Sequence, residues 1–290
     1  MAKEIFAPPI EAILDIDPNE EPSERRHSNT EMTKNEYKKL AGQIRNETAC
    51  VLGDLHFRYE DAEALSLVMA WLAEYNPDRV FLNGDLLDFY ALSHFDKSPA
   101  NKDINITTEI GKLKEFLQEL RENLPDADIY YIQGNHSKRL EKYLTKKAPE
   151  LWEVINIPDL VGLSEYGVKW IPGKKDAFVQ YGSTLIGHFD RVSKHSAYTA
   201  KLLHEQFPGY NVVQNHTHRQ GLFFHTIGNK QYWAAEAGCL ADLKQADYVG
   251  GTPNWQLGCM TITTDQNGEQ IPELVQIING KLYYRGDIWE

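Results

Sequence analysis

The chain has little cysteine. Its three residues, Cys50, Cys239 and Cys259, lie far apart and form no CxxC pair, which argues against a disulfide framework and against a zinc ribbon. A reducing cytoplasm is the expected location. Long apolar runs are also missing. The best, Leu65 to Ala73, is far too short to span a bilayer, and Met1 to Asp17 has no basic segment followed by an apolar one, so no membrane association is expected. Positive charge is scarce beside negative: 30 Lys plus Arg face 42 Asp plus Glu, a formal charge of −12. A protein that coats duplex DNA does not have this balance, because that mode depends on a basic face releasing counterions from many phosphates. A small, locally positive site is still compatible with it, since bound metals are not counted.

What is present is the composition of a globular protein, with 42% hydrophobic and 25% charged residues over 290 positions. Residues 1–48 form a polar arm: Asp15 to Arg26 carries Pro18, Pro22 and many charges without an apolar period. Within the arm, Tyr37, Leu40 and Ile44 predict a short helix over Lys34 to Arg45. From Ala49 to residue 290 short apolar runs alternate with amphipathic segments. The runs are Ala49 to Leu52, Val80 to Leu82, Ile129 to Ile132, Thr184 to Ile186 and Tyr210 to Val213, which read as strands buried on both faces. Leu65, Val68, Met69 and Leu72, and again Leu113, Phe116, Leu117 and Leu120, have the spacing of helix faces turned to a core. After His218 the signals are β only, with Gly228-Asn229, Asn267-Gly268 and Asn279-Gly280 as hairpin turns. The expected fold class is α/β, a four-layer α/β/β/α sandwich of two mixed sheets with helices outside.

Polar residues gather at the ends of the predicted strands. Leu52 is followed by Gly53-Asp54-Leu55-His56, Leu82 by Asn83-Gly84-Asp85-Leu86-Leu87-Asp88, and Ile132 by Gln133-Gly134-Asn135-His136. Ile186 is followed by Gly187-His188, and Val213 by Gln214-Asn215-His216-Thr217-His218. In open α/β sheets the carboxyl ends of the strands converge on one place, so these residues are expected to meet. Asp54 and His56, like His216 and His218, are two apart, and an extended backbone would send both side chains of each pair the same way. Glycines 53, 84, 134 and 187 are expected to let the chain turn beside them. Imidazoles mixed with oxygen donors and no thiolate suit Mn²⁺, Fe, Zn²⁺ or Ni²⁺, with Mn²⁺ preferred, and a set of Asp54, His56, Asp85, Asn135, His188, His216 and His218 is natural for two divalent ions.

This order of motifs, D-x-H, GD-x-x-D, GNH, a later histidine and H-x-H, resembles the calcineurin-like metallophosphoesterase superfamily over residues 53 to 218. The resemblance implies that residues 49–290 are a metallophosphoesterase catalytic domain. By that resemblance Asp54, His56 and His218 would hold one metal, Asn135, His188 and His216 the second, and Asp85 would bridge them. His136 would assist the leaving group, oriented by Asp88, and a hydroxide bridging the metals would attack phosphorus. The chain departs from the family pattern at Phe57, Ser137 and Asn215, where glycine, an acid and glycine are usual; a left-handed backbone at Asn215 would make that change mild. Arg139 and Arg191 are candidate contacts for phosphate or the leaving group, whereas His94, His204 and His225 are expected to lie outside the site.

The implied activity is hydrolysis of phosphomonoesters, phosphodiesters or both, on a substrate expected to be small, with selectivity in loops such as Ala91 to Ile106. A metal-dependent nuclease acting on DNA or RNA is the alternative enzyme. A binding scaffold on the same fold is the non-enzymatic alternative, disfavoured because the ligand set is complete.

Overall fold

A computed structural model describes residues 15–16, 46–93, 105–173, 177–242 and 253–290. In chain order the strands and α-helices are β1 (Asp15–Ile16), β2 (Glu47–Leu52), α1 (Ala62–Tyr75), β3 (Arg79–Asn83), α2 (Ile106–Asn123) and β4 (Asp128–Ile132). There follow α3 (Lys138–Lys147), α4 (Ile157–Val161), β5 (Val168–Ile171), β6 (Phe178–Tyr181), β7 (Thr184–Gly187), α5 (Tyr198–Gln206) and β8 (Asn211–Gln214). The remainder is β: β9 (Gln220–Ile227), β10 (Lys230–Ala237), β11 (Gly258–Thr264), β12 (Gln270–Ile278), β13 (Lys281–Tyr284) and β14 (Asp287–Trp289). The predicted helix over Lys34 to Arg45, His94 and most of the Ala91 to Ile106 loop lie outside the described residues.

The strands form an eight-stranded sheet, β14-β13-β12-β11-β2-β3-β4-β5, and a six-stranded sheet, β1-β6-β7-β8-β10-β9. The lack of alternation in the apolar runs has a direct cause. Along β2, Cys50 and Leu52 join the core on the helix side while Ala49 and Val51 join the core between the sheets. Strand β3 divides the same way, Val80 and Leu82 against Phe81, and so does β4, Ile129 and Tyr131 against Tyr130 and Ile132. From the six-stranded sheet Val179, Tyr181, Ile186, Val213 and Trp233 meet that central layer. Helices α1 and α2 cover the outer face of the larger sheet, with Val68, Met69, Leu72, Leu113, Phe116, Leu117 and Leu120 in its core. Helix α5 covers the smaller sheet through Ala200 and Leu203. The expected four layers are present.

Caps fix where the helices begin. The Asp61 side chain accepts from Ala64 N at 3.0 Å to start α1, and Asn105 accepts from Thr108 N at 2.9 Å to start α2. Each of the three expected turns lies inside a hairpin. Ile227 pairs with Lys230 across Gly228-Asn229, Ile278 pairs with Lys281 across Asn279-Gly280, and Asn267-Gly268 sits between β11 and β12. A fourth hairpin was not foreseen: Arg285-Gly286 turns between β13 and β14 with φ of 51° and 92°, and arginine gives no turn signal in sequence. Two residues of the predicted arm, Asp15 and Ile16, pair in parallel with Gln180 and Tyr181 at the edge of the smaller sheet.

Candidate active site

The parallel strands β2, β3 and β4 run side by side, and β7 and β8 run side by side in the facing sheet, and their carboxyl ends meet, His216 N with Asp54 and His188 with Asp85. Two backbone expectations need correction there. The paired ligands do not lie on extended chain: Asp54, His56, Asp85, His216 and His218 all have positive φ, from 46° to 71°. Side chains two apart converge because the chain coils through the left-handed region at each, a strained conformation of the kind held at functional sites by surrounding contacts. Nor do all four glycines act as turn residues. Gly84 does, with φ of 83°. At Gly134 the need is space, since a Cβ there would lie 2.1 Å from Asp85 Oδ1.

Each carboxylate is fixed by one oxygen and leaves the other for the pocket. Asp54 Oδ2 accepts from His216 N at 2.7 Å, and Asp85 Oδ1 accepts from His136 N at 2.8 Å. Thus the first motif is laced to the last and the second to the third. Asp54 Oδ1 is left buried without a hydrogen-bond partner, 3.6 Å from His218 Nε2 and 3.8 Å from His56 Nε2. The Nε2 atoms of His56 and His218 are 3.1 Å apart, and Asp54, His56 and His218 together form a group that could hold a cation. Asp85, His188 and His216 form a second such group, in which His188 Nε2 lies 3.0 Å from Asp85 Oδ2 and 2.9 Å from Asn135 Oδ1. A buried carboxylate oxygen with no partner, beside two imidazole nitrogens in near contact, is the donor arrangement a divalent cation satisfies.

The charges agree with that use. Burial pushes the Asp54 carboxyl up to about 7, although His188 and His56 pull it down. Burial also lowers His216 to about 4, with the neighbouring His188 charge acting the same way, and holds His218 well below the usual histidine range. Both rings are therefore neutral at pH 7, with lone pairs free for a metal. His188 behaves oppositely: burial would lower it, but the Asp85 and Asp54 charges outweigh burial and raise it to about 9.

Beside these groups lies a contact pattern centred on Asp88. Its Oδ2 is 2.9 Å from His136 Nδ1 and 3.1 Å from His56 Nδ1, so one carboxylate faces both rings, and these interactions hold it far below the ordinary carboxylate range despite burial. Arg139 Nη1 donates to Asp88 Oδ1 at 2.8 Å and to Asp88 O at 2.9 Å, and its Nη2 is 3.2 Å from His136 Nε2.

The sequence profile of the calcineurin-like phosphoesterases matches residues 48–251. The chain belongs to the calcineurin-like phosphoesterase family. This calcineurin-like phosphoesterase is 33% identical over 254 residues to the Gene 54 protein of Mycobacterium phage L5, covering 83% of this chain and 97% of that protein. It is 34% identical over 253 residues to the Gene 54 protein of Mycobacterium phage D29, again covering 83% and 97%. Among solved structures, Vacuolar Protein Sorting 29 from Cryptosporidium parvum is similar at a TM-score of 0.45 and 17% identity, covering 84% of this chain and 98% of that one. The Pseudomonas putida nuclease MPE is similar at 0.34 and 13%, covering 78% and 87%. The family binds divalent metals, in keeping with the two groups above and with a third group of ligand type, His56, Asp88 and His136.

Within this family member the sequence-predicted residues divide clearly. Asp54, His56, Asp85, Asp88, Asn135, His136, His188, His216 and His218 are brought together by the distances above, and Arg139 joins them. Arg191 instead makes its polar contacts with Leu202 O and Gln206 on α5. His204 and His225 contact each other at 3.1 Å, with His204 on α5 and His225 on β9. The departures at Phe57 and Asn215 also find reasons. Phe57 is buried against Phe116 of α2, which anchors the first strand end in the core. Asn215 does not have the left-handed backbone expected of it; its amide accepts from Asn83 at 2.8 Å and donates to Gly238 O at 2.9 Å, tying the H-x-H loop to β3. Three residues escaped the sequence reading because they lie outside every motif. Glu236 accepts from Thr217 at 2.6 Å, Trp255 packs at 4.2 Å between ring centroids on His218, and Glu109 accepts from Phe89 N at 2.7 Å.

Proposed function

We propose that the protein is a metal-dependent phosphoesterase that hydrolyses small phosphomonoesters or phosphodiesters with two divalent cations, Mn²⁺ foremost and Fe, Zn²⁺ or Ni²⁺ also suited. The observation that carries this is the unpartnered, buried Asp54 Oδ1 beside the His56 and His218 rings, with a second group that could hold a cation next to it. Asp54, His56 and His218 would hold one cation, Asn135, His188 and His216 the other, and Asp85 would serve both. Cations bound there supply activation of water and neutralisation of charge at phosphorus.

The chain's own residues do the rest. Asp88 Oδ2, 2.9 Å from His136 Nδ1, faces that edge of the ring and so would keep Nε2 turned to the entering ester. When protonated on both nitrogens, His136 would keep the proton on Nδ1 and pass the one on Nε2 to the oxygen of the departing alcohol, as general-acid catalysis requires. Arg139, now 3.2 Å from that nitrogen, would transfer its hydrogen bond to a phosphate oxygen arriving at the same place. Only two of the proposed ligands are carboxylates, so a loaded pocket is cationic inside an acidic protein, which favours a compact anion over a long polyanion. Among the described residues no helix is long and apolar enough to cross a membrane.

The test is a panel of phosphomonoesters, cyclic nucleotides and single- and double-stranded oligonucleotides across Mn²⁺, Ni²⁺, Zn²⁺ and Mg²⁺. Hydrolysis of small esters, lost in Asp85→Asn and His216→Ala, is the expected result. Cleavage confined to oligonucleotides would replace it with a nuclease, and no hydrolysis with any metal would leave a scaffold.

A further inference from the structure

The proposed mechanism uses Asp88 but leaves unexplained a second carboxyl behind it. Glu109 lies in the first turn of α2, fully buried. Burying a carboxyl is costly unless its hydrogen bonds compensate. One of its oxygens, Oε2, accepts from Phe89 N at 2.7 Å, and the other, Oε1, is buried without a partner. Phe89 has φ of 52°, a left-handed conformation that is strained for a bulky residue and needs something to hold it. Residues 88 and 89 are thus gripped from two sides, Asp88 by Arg139 and Phe89 by Glu109, and between them the Asp88 carboxylate reaches both His136 and His56.

We infer that Glu109 is a positioning residue, whose bond to Phe89 N sets the backbone turn from which Asp88 orients the leaving-group acid His136 and the ligand His56. The inference rests on the proposed hydrolysis for its kinetic side only. Glu109 itself touches no substrate. Its removal would let Asp88 swing, His136 would lose its fixed tautomer, and the loss would fall on substrates whose leaving alcohol needs a proton. An aryl ester such as 4-nitrophenyl phosphate leaves without one.

The experiment compares Glu109→Ala and Glu109→Gln in the full chain. Glu109→Ala should lower kcat for an alkyl phosphate about tenfold or more, against less than about threefold for the 4-nitrophenyl ester. Glu109→Gln keeps an acceptor for Phe89 N and should restore most of the alkyl rate. If Glu109→Ala does not fold, Glu109→Asp, one methylene too short to reach, replaces it. Independently of turnover, imidazole ¹⁵N spectra of the metal-free chain should show His136 and His56 protonated on Nδ1 in the wild type and in Glu109→Gln, and a tautomer mixture for His136 in Glu109→Ala. Unchanged tautomers in a folded Glu109→Ala, or equal losses on alkyl and aryl esters, would overturn the inference. A wild-type chain that hydrolyses nothing would overturn the functional proposal, and the spectra would still decide the role of Glu109.

Discussion

The two ligand groups are built differently. In the second, His188 is steadied from behind by Asn83 O, 3.0 Å from its Nδ1, and it already pairs with Asp85 through Nε2. Asp85 is held far below the ordinary carboxylate range because the His188 and His136 charges overcome its burial. In the first, Asp54 is pushed up by burial, its Oδ1 has no partner, and His218 Nδ1 is likewise buried without one. A metal-ligating imidazole usually donates its second nitrogen to an oxygen that fixes the ring. At His218 the indole of Trp255 packs T-shaped on the ring, 4.2 Å between centroids. The second group is thus prearranged by hydrogen bonds, and the first by packing and by Asp88 acting on His56. The first should therefore be the more easily perturbed.

Removing the second group's carboxylate should have the largest effect. Asp85→Asn should lower phosphoester hydrolysis by about 10²–10³-fold or more while thermal unfolding stays within a few degrees. A variant that keeps full activity would break the comparison at its stronger side. Next, Trp255→Leu should weaken one class of cation site about tenfold and leave the other unchanged, read by calorimetric titration with Mn²⁺. Equal weakening of both would show that Trp255 does not belong to the first group alone.

Stability measurements sharpen the contrast further. Phe57→Gly, which puts the family's usual residue after the first strand end, should cost about 3 kcal/mol or more by denaturant unfolding, because it opens a cavity against Phe116. Burial raises Glu109 to about 7, against both its bond from Phe89 N and its usual value of 4.5. A carboxyl with a raised pKa stabilises the fold while protonated. That contribution is complete below about pH 4.5 and is lost as pH climbs to about 7, since the unfolded chain gives up its proton first. Glu109→Gln should accordingly gain on the wild type between pH 5 and pH 8, by on the order of 1–3 kcal/mol. No change in the difference with pH would place Glu109 in a more hydrated setting than its burial indicates. The smallest effect is expected at Arg191, whose replacement by alanine should alter kcat/KM less than about threefold, whereas Arg139→Ala should lower it about tenfold or more.

Much of this was legible in the sequence, and the reason differs by region. The strands carrying the site are apolar without interruption because both faces are buried, and each ends in a polar motif, so order and composition located Asp54, Asp85, Asn135, His136, His188, His216 and His218 together. Side-chain identity carried that information. Backbone conformation did not follow from it: five of the site residues lie in the left-handed region, which no period or propensity signals for aspartate and histidine in such a run. The supporting residues were hidden for another reason. Glu109, Trp255 and Glu236 stand in a helix, a segment before β11 and a strand far from the motifs, and only the tertiary fold brings them behind Asp88, His218 and Thr217. Arg191 shows the converse, since closeness in sequence to His188 did not turn its side chain toward the pocket.

The central claim is that five strand ends build two cation pockets of unequal preparation. Its most direct test is a calorimetric titration of metal-free full-length protein with Mn²⁺, with bound metal counted by elemental analysis. The account predicts about two equivalents in two distinguishable classes, the weaker one lost with Trp255→Leu. Saturation at a single equivalent, or two indistinguishable sites unaffected by that substitution, would contradict it.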